Sequence, residues 1–398
     1  MVGFLTGFLV FSSSRFHSDY YYVFVLLPFL ISMRGVDWAL VFRSRSWWLL
    51  VVLMSYIASS VAWSGAVEWE MIYDRLRHIL AILSFVVIIS WITYKRPQWV
   101  RYLFILMAPV AVFAALFSLY QLHEGGAFVS RRIYNVLSYR ENPNSAAVPF
   151  AFMGVGAFYF MVKGRSWWIV SLSLLTLVVC SWFLFQAQSR AALLYLAIGV
   201  FTILLMWRSW LALVLALGFS ALFLIYINFG GVLDRSFLER GGSGRLEIWM
   251  AVLDRFLQAP IFGEGVGNPI EITVPGFGEF HSPHNLWLSI VLAGGAVGLV
   301  LFLAFVSSVL INARLMRGRM PGVTLVVGWL IAGLALLSFD GHGLVVRMNP
   351  HYWLGLWLPV GVIIGRELRL RESGKDEIRS LAKRCLNTDA TVGRRDGD

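Results

Sequence analysis

Polar positions along this chain gather into short clusters, and long stretches with almost none run between them. Ten such apolar runs cover about 46–64, 78–94, 102–122, 145–162, 166–186, 190–207, 209–228, 285–311, 323–339 and 350–365. The hydrocarbon core of a bilayer is roughly 30 Å thick and a helix rises 1.5 Å per residue, so about 20 apolar residues make one crossing. Each run meets or approaches that length. Two shorter runs, about 2–13 and 20–33, read as a tight helical pair, which brings the expectation to about 12 transmembrane helices. If the pair only dips into the membrane, ten remain and the orientation of everything downstream is unchanged. The one long polar insert is about 229–284. The pattern therefore predicts an all-α polytopic membrane protein. Residues 1–365 form the membrane domain, 229–284 a periplasmic loop subdomain set into it, and 366–398 a cytoplasmic tail.

Composition agrees with the pattern. Hydrophobic residues make up 59% of the 398 and charged residues only 14%, against roughly a quarter charged in soluble domains. That balance excludes a cytosolic enzyme, a disordered chain and a secreted disulfide scaffold. Cys180 lies in an apolar run and Cys385 in the polar tail, so no disulfide framework is expected.

The net charge of +11 invites a nucleic-acid reading until the charges are placed by side. With the N-terminus inside, the inner loops hold twelve Lys and Arg against the lone Asp37, and the tail nine cations against seven acids. The outer segments hold twelve arginines against fourteen acids. The excess is thus a topology signal and adsorption to anionic lipid, with no nucleic acid implied. All four lysines fall inside, and all seven histidines fall at or near the outer face. Arginine grips phosphate with a planar fork, so an arginine-only outer surface suggests phosphate recognition. Pairing of those arginines with the outer acids accounts for the set equally well.

Three constellations carry candidate chemistry. In Gln186-Ala-Gln-Ser-Arg190, Ser189 reads as a helix cap and Arg190 as a first-turn residue at the membrane edge. A cation there opposes the helix dipole, a placement that makes sense beside an anionic ligand; snorkelling to headgroups is the alternative. In Gly241-Gly-Ser-Gly-Arg245-Leu-Glu-Ile-Trp249, a glycine run leads into an amphipathic surface helix over about 245–258, ended by Pro260. Arg245 again stands at a helix start. In Glu279-Phe-His281-Ser-Pro-His284-Asn285, Ser282 reads as the N-cap and Pro283 as the first helical residue. His284 then falls in the first turn, where the dipole disfavours an imidazolium and leaves a ring able to accept a proton. Asn285 is placed to orient a sugar or the imidazole, and Gly295 and Gly298 to let helices pack closely. A capping or interfacial role for His284 is the alternative. His281 and His284 with Glu279, or the Glu68/Glu70 pair, could bind a metal, but neither set offers firm ligand spacing. Arg131, Arg132 and Arg140 form a further outer basic patch, and Asp74, Arg75 and Arg77 an interfacial charge cluster. Asp340, His342, Arg347 and His351 are second-rank site lining or ordinary loop residues. No phosphate-cradling Gly-rich loop with Lys-Ser/Thr is present, so no ATPase is expected.

Ser189-Arg190, Gly244-Arg245-Leu-Glu-Ile-Trp249, Pro260 with Gly263-Glu-Gly265, and His284-Asn285 with Gly295-x-x-Gly298 together resemble the O-antigen ligase and polymerase superfamily of bacterial inner membranes. The likeness is greatest to the lipopolysaccharide O-antigen ligases, although Leu299 stands where a polar or aromatic residue is often seen. No firm shared motif precedes about residue 186. The resemblance implies a lipid-linked glycosyltransferase of GT-C type with its active site facing the periplasm and both termini in the cytoplasm. It implies an undecaprenyl-diphosphate-linked glycan donor, a lipid A-core acceptor, and no cofactor or metal. On that expectation His284 is the general base and Arg190 and Arg245 bind the diphosphate. His281, Asn285, Trp249, Arg347 and His342 would line the site. An O-antigen polymerase, joining lipid-linked repeat units, and a lipid-linked glycan transporter are the alternatives.

Overall fold

The computed structural model describes residues 1–65, 69–124, 133–138, 143–207, 214, 218, 245–267, 270–274 and 278–373. The run 209–228 apart from residues 214 and 218, the glycines 241–244, and Glu68, Arg131, Arg132, Arg140 and Cys385 lie outside them. The described chain is almost wholly helical, in keeping with the expected class. We label the helices α1 (Val2–Val10), α2 (Ser14–Tyr21), α3 (Leu27–Ser32), α4 (Trp38–Val41), α5 (Arg45–Ser59), α6 (Trp69–Lys95), α7 (Trp99–Glu124) and α8 (Pro143–Lys163). There follow α9 (Trp167–Ala187), α10 (Arg190–Trp207), α11 (Arg245–Gln258), α12 (Leu286–Met316) and α13 (Val323–Asp340). The last, α14, runs from 350 to 373 and contains a π turn at Trp353–Trp357. One hairpin, β1 (Ile272–Val274) with β2 (Gly278–Phe280), is antiparallel with Thr273 opposite Glu279.

Eight described helices are long and apolar enough to cross a membrane, and they coincide with eight of the ten runs. The run at 350–365 is the first part of α14, which continues to 373 with Arg366 and Glu367 buried. The tail boundary drawn at 366 thus falls inside a helix. The N-terminal runs do not form two equal spans. The nine residues of α1 measure only about 13 Å. Phe4 and Phe8 are buried, and the Phe4 ring meets Phe85 and Trp353. Residues 14–32 form one helical stretch through a π turn at Tyr22–Leu26.

Two contacts fix the frame that carries the site. Helices α13 and α14 cross where Gly333 faces Gly355; a Cβ on Gly333 would collide with the Gly355 carbonyl. Only glycine permits that approach. The second contact breaks α12. Gly295 has φ +61 and ψ −160, and the chain at 260–265 fills the gap. Ala296 N donates to Pro260 O (2.9 Å) and Val297 N to Ile261 O (3.2 Å). In return Glu264 N donates to Leu292 O (2.8 Å) and Gly265 N to Ala293 O (3.0 Å). The Tyr56 hydroxyl donates to Gly294 O at 2.7 Å. Irregular backbone inside an apolar bundle is tolerated only when its polar groups are paired in this way.

Gly295→Ala places a Cβ onto Ile261 O, in a backbone region that L residues rarely adopt. We expect a loss of at least about 2 kcal/mol, read as a lower melting temperature of the detergent-solubilised protein. Gly298→Ala meets Tyr56 at 3.4 Å and Ile290 at 3.6 Å, ordinary contact distances, and should leave the melting temperature close to wild type.

Candidate active site

At one end of the bundle α13 finishes on Asp340, an acid closing an otherwise apolar helix. Its carboxylate is 6% exposed. Three segments converge on it. His284 Nδ1 lies 3.4 Å from Oδ1 and His351 Nε2 3.2 Å from Oδ2. The His342 ring stands edge-on to that of His284, with centroids 4.9 Å apart. A carboxylate withdrawn from water needs such partners.

The surrounding hydrogen bonds set the rings. His351 is fully buried, and its Nδ1 meets Asn349 Oδ1 at 2.6 Å. Asn349 Oδ1 also accepts from the His351 amide at 3.0 Å, which fixes it as the amide oxygen. Both ring nitrogens of His351 therefore face oxygen atoms, which fixes the orientation of the ring. His342 Nδ1 pairs with Ser282 Oγ at 2.9 Å, and its backbone amide donates to the Tyr352 hydroxyl at 2.8 Å. Burial pulls the His342 pKa down to about 4, ahead of the opposing pull of Asp340 and the repulsion of His284 and His351. His284 is different: a third of its side chain is exposed, and its Nδ1 is buried without a well-formed hydrogen bond.

The start of α12 corrects the sequence reading. Its N-cap is Asn285, whose Oδ1 accepts from Trp287 N (2.9 Å) and Leu288 N (3.2 Å). His284 is outside the helix, with φ +49. Ser282 instead accepts from His284 N at 3.1 Å and holds His342. The Oδ1 of Asn285 is thus taken up by capping, and only its Nδ2 donors are left for other partners. His281 is exposed on the loop and stands outside the cluster. The acid that joins the histidines is Asp340, not Glu279: one ligand atom each from His284, Asp340 and His342 lie within 4.8 Å of one another.

The two arginines singled out by sequence come to the same end of the bundle. Ser189 caps α10 through Ala192 N (3.4 Å), after Gln188 in a left-handed turn, so Arg190 is in the first turn. Helix α10 packs antiparallel on α13, with Gly199 facing Ala332. Arg190 is nine residues before Gly199 and Asp340 eight after Ala332, so both lie about 12–13 Å along, at one level. Helix α11 has the expected bounds, Arg245–Gln258. Trp249 Nε1 donates to Pro283 O at 3.0 Å, beside His284, and its ring lies 6.4 Å from that of Phe339. Arg245 is one turn before Trp249 on the same face. Ile248 and Val252 pack on Ile272, Val274 and Leu292, while Leu246, Met250, Leu253 and Leu257 stay exposed as an apolar stripe.

A small cleft adjoins the cluster and is lined by His342, Arg75, Glu264 and Ser289 among others. Arg75 leaves the expected charge cluster and donates to Val345 O at 2.9 Å, while Arg77 pairs with Asp74. Arg255 holds Glu264, with Nε 2.9 Å from Oε1. Arg347 is exposed at the rim of the 341–349 loop. Sequence reading underweighted Asp340 and His351. The available signal was an ionisable residue closing an apolar run.

Fold and site together define a polytopic all-α membrane protein with a His–Asp cluster and helix-start arginines at one end. The O-antigen ligase family model matches residues 175–303, from mid-α9 to mid-α12. A curated O-antigen ligase of Pseudomonas aeruginosa is 28% identical, with 71% of this chain and 75% of that protein covered. Over these residues the chain is similar to O-antigen ligases, in the part that carries Arg190, α11 and His284.

Because folded His342 takes up a proton only near pH 4 and an unfolded histidine near 6.5, the unfolded state binds more protons between these values. Stability should therefore fall as pH drops from about 6.5 toward 4. His342→Gln should flatten that slope, as followed by melting temperature against pH.

Proposed function

We propose that the protein transfers an O-antigen glycan from undecaprenyl diphosphate to a sugar hydroxyl of lipid A-core, on the periplasmic side of the bacterial inner membrane. The observation that carries the reading is the His284–Asp340 contact at the level of Arg190, with Arg245 one turn before Trp249, whose indole meets Pro283. Asp340 Oδ1, 3.4 Å from His284 Nδ1, favours the tautomer with its hydrogen on Nδ1 and so leaves Nε2 with its lone pair, the orienting role that a carboxylate plays behind a catalytic imidazole. His284 Nε2 takes the acceptor hydroxyl proton as the hydroxyl oxygen bonds to the anomeric carbon. The bond from that carbon to the diphosphate oxygen breaks on the opposite face, so the anomeric centre inverts. Undecaprenyl diphosphate departs with the bonding electrons. The guanidinium groups of Arg190 and Arg245 offset the charge growing on it. The reaction uses the energy of the diphosphate linkage and no metal. The exposed apolar stripe of α11 suits contact with acyl chains at the membrane face where the donor lies.

In proteoliposomes holding lipid-diphosphate glycan and lipid A-core, His284→Ala should lower turnover by about 10²–10⁴-fold, the usual range for a lost general base. Asp340→Asn should lower it with little change in KM. Near wild-type turnover of His284→Ala overturns the assignment. Product built on lipid-linked repeats in place of lipid A-core would move the reading to a polymerase. Arg190→Ala and Arg245→Ala should each weaken donor use, with Lys rescuing only in part because the bidentate fork is lost; this is read as KM for the donor.

A further inference from the structure

We propose that His284, Asp340 and His342 form a binding site for a zinc-like divalent transition-metal ion, and that the bound ion shuts off the proton acceptor. Two imidazoles and a carboxylate are a donor set that zinc takes readily, whereas calcium and magnesium require mostly oxygen. The three ligand atoms already lie within 4.8 Å of one another. Around a tetrahedral ion with bonds of about 2.0–2.1 Å they would sit roughly 3.3 Å apart. His284 Nδ1 and Asp340 Oδ1, at 3.4 Å, have that separation now. A small rotation of the His342 ring supplies the rest.

Two further features point to a ligand at this place. His284 Nδ1 is buried and makes no well-formed hydrogen bond, a rare condition for a buried nitrogen. Two of the three ligands are also braced from behind. Ser282 Oγ holds His342 Nδ1, leaving Nε2 for the ion, and His351, itself held by Asn349, grips the second oxygen of Asp340. Outer partners of this kind orient ligands and raise metal affinity. The fourth position falls on the exposed side of His284, open to water.

Occupancy has a chemical consequence that rests on His284 being the base. A neutral imidazole carries one N–H. A metal on Nδ1 leaves that hydrogen on Nε2, the nitrogen that must be bare to accept the hydroxyl proton. Metal-free protein is then active, and the ion is an inhibitor. The binding itself does not depend on the glycan reading.

The test uses full-length protein in detergent, stripped with chelator and titrated with zinc against a chromophoric competitor. One equivalent should bind, undisturbed by excess magnesium. His342→Gln should weaken binding at least about tenfold and Ser282→Ala by a similar factor, with folding checked by melting temperature. Cobalt added to the wild-type protein should give the intense visible band of a four-coordinate ion, a readout that needs no variant. An unchanged affinity in folded His342→Gln, or a six-coordinate cobalt spectrum, overturns the site. Turnover in the glycan assay should fall in step with zinc occupancy. Full turnover at full occupancy overturns the assignment of the ion to Nδ1.

Discussion

A carboxylate kept from water at the edge of an apolar bundle has to be met by donors, and Asp340 is met by residues from two other parts of the chain. His351 brings the start of α14, and His284 the end of the 245–284 insert. His342 follows on the loop that leaves α13. His351, held at both ring nitrogens, is fixed against one carboxylate oxygen and leaves the other to His284. The two oxygens of one side chain thus divide the work. One is held by a buried ring with no access to solvent, the other faces a ring that has some. Removing the carboxylate would leave His351 and His284 without the partner they share, a larger loss than the deletion of one contact.

The insert can reach Asp340 because it is bonded into the membrane helices a few turns away. The exchange of backbone hydrogen bonds between α12 and residues 260–265 converts a helix break into a joint with four amide donors satisfied. Joint and carboxylate sit at either side of the first part of α12, Leu286–Gly294, and between them they fix the direction of that segment. The Trp287 indole adds a third tie, donating to Ser338 Oγ on α13 at 2.8 Å. His284 precedes this segment by two residues, so its position is set by the membrane domain more than by the loop that carries it.

Much of this was legible in the sequence wherever a local rule decided the matter. Apolar run length gave the spans, Ser189 with Arg190 gave the start of α10, and the period of apolar residues gave α11. Local rules failed where backbone conformation or long-range pairing decided. Ser282-Pro283 fits a helix start as well as Asn285 does, and the choice depends on whether His284 adopts a positive φ. Gly295 reads as a packing position because the loop that displaces the helix bond lies thirty residues earlier. Asp340 and His351 are eleven apart, yet neither periodicity nor spacing shows that the intervening loop turns back to join them. The N-terminal pair shows a related limit of local rules. Apolarity reports burial, and the short α1 is buried against protein rings, where a full span would face lipid.

The placement of His284 one residue outside α12 separates two demands that the sequence pattern had merged. In the first turn of a helix the ring would sit against the positive end of the dipole, and its direction would follow the helix axis. Outside the helix, Asn285 satisfies the end amides and the histidine turns freely toward Asp340. The left-handed backbone needed for this costs on the order of 1 kcal/mol, and histidine is one of the few side chains that tolerate it. Ser282 Oγ, by accepting the His284 amide, holds the turn in place and is the same atom that fixes His342. One hydroxyl therefore couples the conformation of one imidazole to the orientation of the other, which makes the two rings a unit rather than neighbours by chance.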